Sequence, residues 1–339
     1  MCTMNSAITS PVARQTDLCL DNGALNPDAI GWSNRPQVNC SLVRHAGRRK
    51  RWNHWCFTTP EWMLSVTQAN LDYLGYGAAY FLDLATGQTA SFSQMRLLAR
   101  GCQLPDHPQQ SHAFNHRSLS FQLNEYPGRA CLSLSASEAG SQPLEILLDI
   151  QRPTHLESVN LVAPMGPKRF HATCRQLGLP LSGRVQLGER TYNCTAGQSF
   201  AAMDFGRGVW PLNSHWKRAA FAAPGGIAGN FGTHWTDYSG LSENALWFGG
   251  ELQQLENSVE ITPMTSGPLA NWRIKSADQQ VNLRFTPRQL HQAAPHLGLL
   301  YADTRQWFGH FDGDLISPQG EHVPVKAALG WLGATDARW

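Results

Sequence analysis

Apolar and polar residues alternate with period two along much of this chain, and that pattern restricts its fold more than any other feature. Leu119, Phe121 and Leu123 alternate with Ser118, Ser120 and Gln122. Leu144, Ile146, Leu148 and Ile150 repeat the pattern, as do Val281, Leu283 and Phe285. Successive side chains of a strand point to opposite faces, so each run can bury one face and leave the other in water. Gly249-Gly250 separates Ala245–Phe248 from Glu251–Leu255, and Gly188-Glu189 separates Arg184–Leu187 from Arg190–Asn193. Both have the two-residue spacing of a tight hairpin. Ala85–Gln88, Tyr126–Gly128 and Ser317–Gly320 mark further turns. No long segment carries a helical period with caps at both ends. Pro60–Leu71 comes nearest, and it also reads as a strand.

The expected class is therefore all-β and antiparallel. A long chain of hairpins avoids exposed edges by forming barrels or sandwiches. The 339 residues suggest roughly two such units at about 100–200 residues per domain. Residues 1–35 show little pattern and read as an irregular arm, with 36–195 and 196–339 as the two β-domains.

Composition narrows the function classes. Charged residues make up 15% of the chain, against about 25% for an ordinary soluble domain. The net charge of +2 gives no reason to expect nucleic acid as a partner. No apolar run approaches the ~20 residues of a membrane-spanning helix. The N-terminus lacks a basic segment followed by an apolar core, and the eight cysteines form no C-x-x-C pair. A cytoplasmic protein with reduced thiols, no metal and no cofactor is the expectation. Arg48-Arg49-Lys50-Arg51 reads either as a solvated surface or as a patch for peripheral membrane contact with anionic lipid.

Three segments concentrate polar, ionisable and aromatic residues: Arg51–Trp62, Met203–Lys217 and Gly229–Asn244. They resemble blocks of the bacterial family catalogued as domain of unknown function 2804. Trp52–Thr67 is similar to its W-N-x-x-C-x-T-T-P-x-x-x-x-S-x-T block, and Asp204–Pro211 to its D-x-G-R-G-x-W-P block. Ser242–Leu246 resembles its T/S-E-N-A-L block, and Tyr80–Leu84 its aromatic strand. A more distant resemblance, carried by Ala202-Met203-Asp204 and His215-Trp216, is to carotenoid 1,2-hydratases and tocopherol cyclases. It implies two lipocalin-like barrels in tandem, a W-M-D-like turn at Asp204, and long apolar ligands. The Glu of the hydratase turn is replaced here by Gly206-Arg207.

The candidate site follows from these segments. A protonated carboxyl beside an indole is what alkene hydration or cyclisation needs, because the indole face stabilises a carbocation. Asp237, beside Trp235, and Asp204 are the candidate acids, with His54 and His215 as relays. Trp52, Asn53, Trp55, Arg207, Trp216, Trp235, Glu243 and Asn244 are candidate ligand contacts. The structural alternatives are an Asp204–Arg207 ion pair fixing a Gly206–Gly208 turn, an Asx turn at Asp237, and turn capping at Glu243-Asn244. Four tryptophans lie between 32 and 62 and eight at or beyond 210, so the two groups either meet at one site or serve separate cores.

The expected function is binding of a long apolar molecule, fatty acyl or isoprenoid, with cofactor-free hydratase, cyclase or isomerase chemistry on it as an extension. The alternatives are a non-catalytic lipid carrier or chaperone and a carbohydrate-binding β-sandwich. A cavity-facing carboxylate without a compensating Arg would favour the enzyme. Paired carboxylates would favour the carrier, and a flat exposed Trp groove the sugar binder.

Overall fold

The computed structural model describes residues 15–236 and 239–339, and these fold almost wholly into two antiparallel sheets in tandem. The first sheet has 14 strands. Its central path runs Thr89–Leu97, Leu74–Asp83, Trp62–Asn70, Lys50–Thr58, Phe200–Val209, Phe170–Leu187, Leu144–Gln151, Arg129–Ala136, Leu119–Tyr126, His112–His116 and Cys102–Gln103. The second has ten strands, ordered on its central path Glu251–Gln254, Ala245–Phe248, Ile227–Thr233, Asn213–Ala223, His322–Arg338, Leu300–Ile316, Val281–Ala293, Trp272–Ser276 and Val259–Pro263. The hairpins fall at the expected turns: Tyr126 pairs with Arg129, Leu187 with Arg190, Phe248 with Glu251.

The first sheet nearly closes on itself. Gln68 Nε2, in Trp62–Asn70, donates to the carbonyls of Gln103 (2.9 Å) and Ala113 (2.7 Å) at the opposite end of the strand order. His112 Nδ1 lies 2.8 Å from Gln68 Oε1. Phe114 packs flat on Gly77, where a Cβ would lie 2.6 Å from the ring. Glycine at that position therefore permits the approach of the two ends.

Period two is clear where one face of a strand meets water and lost where both faces are covered. Leu144–Gln151 alternates buried and exposed throughout. Phe200–Val209 is buried at nearly every position, because one face looks into the first core and the other meets the second sheet. Ala220, Ala222, Ala228, Ala245 and Trp247 of the second sheet join the first core, while Ala219, Phe221 and Phe231 line a separate core with Phe285 and Phe311.

Two sequence expectations change here. Ala202-Met203-Asp204 and Gly206–Gly208 are not turns but mid-strand residues of Phe200–Val209. That strand sits between Lys50–Thr58 and Phe170–Leu187, so the chain passes from the first sheet to the second at residues 210–212, beyond the division placed at 195. The run read as an irregular arm is tied in along its described part. Gly31–Ser33 pairs with Val159–Pro164, and Leu18 and Ala29 are buried in the first core.

Candidate functional site

An apolar cavity lies between the two sheets. Its first wall follows from register. Asp204 pairs with His54, His54 with Thr67, and Thr67 with Ala78, so these four side chains form one row across four strands. The next row runs Gly206, Trp52, Ala69 and Tyr76. The odd-numbered neighbours Trp55 and Phe57 point the other way, into the first core. Small residues in both rows, Thr67, Ala69, Ala78 and Gly206, leave space beside the rings of His54, Trp52 and Tyr76.

The facing wall is built likewise from the second sheet. Trp216 pairs with Thr335 and Thr335 with Thr304, while Arg218 pairs with Gly333 and Gly333 with Gln306. Trp331 and Trp339 complete it, and Tyr80 stacks between His291 (4.0 Å between ring centroids) and Phe308 (5.3 Å) at one end. The cavity volume is about 160 Å³. Trp52 of the early group thus meets Trp216, Trp331 and Trp339 of the late group at one cavity.

One corner of this apolar space is charged. Arg175 and Asp204 are register partners on adjacent strands and their side chains are in contact. Arg218, from the second sheet, donates to Asp204 Oδ2 at 2.7 Å. Glu243, just before Ala245–Phe248, accepts from Arg175 at 3.2 Å and lies 3.3 Å from Arg218. Two guanidiniums and two carboxylates thus form a closed box that joins the sheets. Burial by itself would raise the Glu243 pKa, but Arg175, Arg218 and His171 together hold it down at about 2. Burial, reinforced by Arg218, lowers Arg175 to about 9 despite Glu243.

His54 bridges the same two sheets. Gln306 Nε2 lies 3.4 Å from His54 Nε2, and His54 Nδ1 lies 2.8 Å from Thr67 Oγ1. With the amide donating, Nε2 accepts and Nδ1–H donates to Thr67, which fixes the neutral tautomer. Burial, then Arg175 and Arg218, push its pKa down to about 3. Behind the box lies a recess of about 10 Å³ walled by His171, Trp210, Trp235 and the inner faces of Trp52 and Trp216. Trp235 meets Trp216 edge-on at 4.8 Å and His171 at 5.2 Å.

The structure brings together Trp52, His54, Asp204, Trp216, Trp235 and Glu243 of the sequence candidates. It places the others elsewhere. Asn53 and Trp55 lie on the opposite face of their strand, inside the first barrel. His215 is exposed, with its ring against His234. Asn244 Oδ1 accepts from the Gly232 amide at 2.6 Å, which is a loop-fixing role. Asp237 lies outside the described residues.

The Asp204–Arg207 pair does not form. Successive residues of a strand point to opposite faces, so 204 and 207, three apart, face opposite ways. Arg207 instead donates from Nε and Nη2 to the Pro105 carbonyl (2.9 and 2.7 Å) and from Nη1 to Trp52 O and Gly206 O (2.8 and 2.7 Å). The basic run is also tied inward. Asp72 pairs with Arg49 and Arg51, and buried Lys50 reaches the Tyr73 hydroxyl at 3.2 Å.

Sequence reasoning missed Arg175, Arg218 and His171. A signal existed for the first and third, because His171 and Arg175 interrupt the otherwise uncharged run Phe170–Leu181, and a charge inside a buried strand needs a partner.

A family profile described as domain of unknown function 2804 matches residues 9–339, so the chain belongs to that family. No curated protein matches it in sequence. Among solved structures it is similar to an AttH candidate from Nitrosomonas europaea, with a TM-score of 0.52 and 10% identity over 86% of this chain and 93% of that one. It is equally similar to CghA with Sch210972, with a TM-score of 0.52 and 10% identity over 95% and 97% of the two chains. Likeness at this identity concerns the fold.

Proposed function

We propose that this member of the domain of unknown function 2804 family binds an apolar small molecule in the cleft between its two sheets. The carrying observation is the cavity itself: aromatic and small side chains from both sheets and one polar corner, with no exposed Trp platform of the kind a sugar needs among the described residues. At about 160 Å³ it matches the size of an engineered apolar cavity of ~150 Å³ that holds benzene. It therefore encloses a ring or a short branched segment. A longer fatty acyl or isoprenoid chain would extend outward past Leu74, Met95 and Leu300, which line the same space.

Carriage is favoured over catalysis by the state of the polar groups. The one carboxylate lining the cavity among the described residues is Asp204, and it is clamped between Arg175 and Arg218. A carboxylate so held is an acceptor and not a proton donor. His54, with its pKa near 3, is a weak base at neutral pH. The test is mass spectrometry of small molecules that co-purify with the native protein, followed by thermal-shift titration with ring-bearing and chain-bearing hydrocarbons. Recovery of an apolar ligand is expected. No recovered ligand and no thermal shift would reject the proposal.

A further inference from the structure

We propose that the ligand carries a hydroxyl group at its inner end, set against Asp204, and that the site discriminates against the corresponding carboxylate. This rests on the reading of the cleft as a binding cavity and specifies the chemistry of what it takes.

Arg175, Arg218, Asp204 and Glu243 are each shared between two partners of opposite sign, so the box is already neutral and closed. A carboxylate entering the cavity would add an uncompensated charge to a buried, balanced group, and such burial is costly. Arg338, the other Arg on the cavity wall, is exposed at the solvent end, where water screens it.

Geometry selects the donor. Asp204 Oδ2 carries both guanidinium contacts, while buried Oδ1 has no hydrogen-bond partner among the described residues. Asp204 is also one of the four residues that wall both the cavity and the recess, with Trp52, Trp216 and Arg218. A hydroxyl donates to that oxygen, whereas a carboxylate is repelled by it. A hydroxyl also accepts, and the recess walls offer donors for that: Trp210 Nε1, Trp235 Nε1 and both ring nitrogens of His171 are buried without hydrogen-bond partners among the described residues. The recess of about 10 Å³ is close to one water-sized sphere, so it admits a single oxygen but not two.

The experiment is calorimetric titration of the full chain at pH 7.5 with three probes on one skeleton: 4-phenylbutan-1-ol, 4-phenylbutanoate and butylbenzene. The alcohol should bind at least tenfold tighter than the acid and several-fold tighter than the hydrocarbon. Equal or tighter binding of the acid, or of the hydrocarbon, overturns the hydroxyl assignment while leaving the cleft reading intact. Binding of none of the three removes the cleft reading itself. Asp204→Asn should cut the preference for alcohol over acid at least tenfold, since the two Arg then face only Glu243. Should that variant fail to fold, Trp235→Phe keeps all four charges and removes one donor. It should weaken the alcohol while leaving butylbenzene unchanged. An unaltered alcohol affinity there would also overturn the assignment.

Discussion

Asp204 of the first sheet and Arg218 of the second are joined by a 2.7 Å ion pair, and the same carboxylate oxygen also receives Arg175. The charged corner therefore fastens the two sheets together at the inner end of an apolar cleft. Breaking a buried pair from one side leaves the other charge stranded, which costs about 3–5 kcal/mol. Asp204→Ala and Arg218→Met should each lose about that much in urea unfolding. The double variant should lose clearly less than their sum, because the two share one interaction. Additive losses would mean that each residue is held by something else.

Acid should destabilise the protein well above the ordinary carboxylate range. Burial, with nearby Arg, holds His54 and His112 near 3, and burial also keeps His171 below its ordinary value. Between about pH 6.5 and 3 the unfolded chain takes up protons that these folded imidazoles refuse, so stability falls as pH drops. Each such group contributes a slope of about 1.4 kcal/mol per pH unit. Glu243, held near 2, adds a loss of the same sign below pH 4.5. Urea melts at pH 7.5, 6.0 and 5.0 check this. A flat profile would show that the histidines protonate inside the fold.

Arg207 is a buried clamp without a carboxylate, and its planar fork reaches three carbonyls on three segments. Lysine cannot reproduce that geometry. Arg207→Lys should cost at least about 2 kcal/mol, because hydrogen bonds from a charged donor contribute about 1.5–3 kcal/mol each. A melting temperature within a degree of wild type would contradict this role.

Filling the cavity should separate binding from stability. Ala78 lies on the cavity wall and is only half-buried, so a larger side chain there projects into open space. Ala78→Leu should weaken an apolar ligand at least tenfold, about 1.4 kcal/mol, with little change in melting temperature. Unchanged affinity would place the ligand outside this cleft.

The strands and hairpins were legible because their signals are local. Tyr126–Gly128 and Gly188-Glu189 turn where the alternation breaks, and Leu144–Gln151 alternates as a one-sided strand must. Phe200–Val209 was misread as a turn because burial of one face in the first core and of the other against the second sheet erased its period. Glycine-rich composition then imitated a loop. Trp52, His54 and Asp204 were found as candidates because polar and aromatic residues cluster around them. Arg175 and Arg218 were not, because their importance lies in partners 14 to 68 positions away, Asp204 and Glu243, that no local pattern connects.

By itself the sequence determined the class of fold, since alternation and turn residues act over a few neighbours and commit each segment to a strand with one buried face. It also placed the tryptophans in two groups. Only the tertiary structure decided that the groups meet at Trp52 and that His54 and Asp204 share a row. It alone set Asp204 against two guanidiniums in place of Arg207. Those outcomes depend on register between strands distant in the chain and on how one sheet packs over the other. A shift of one residue in either would turn every one of these side chains to the opposite face.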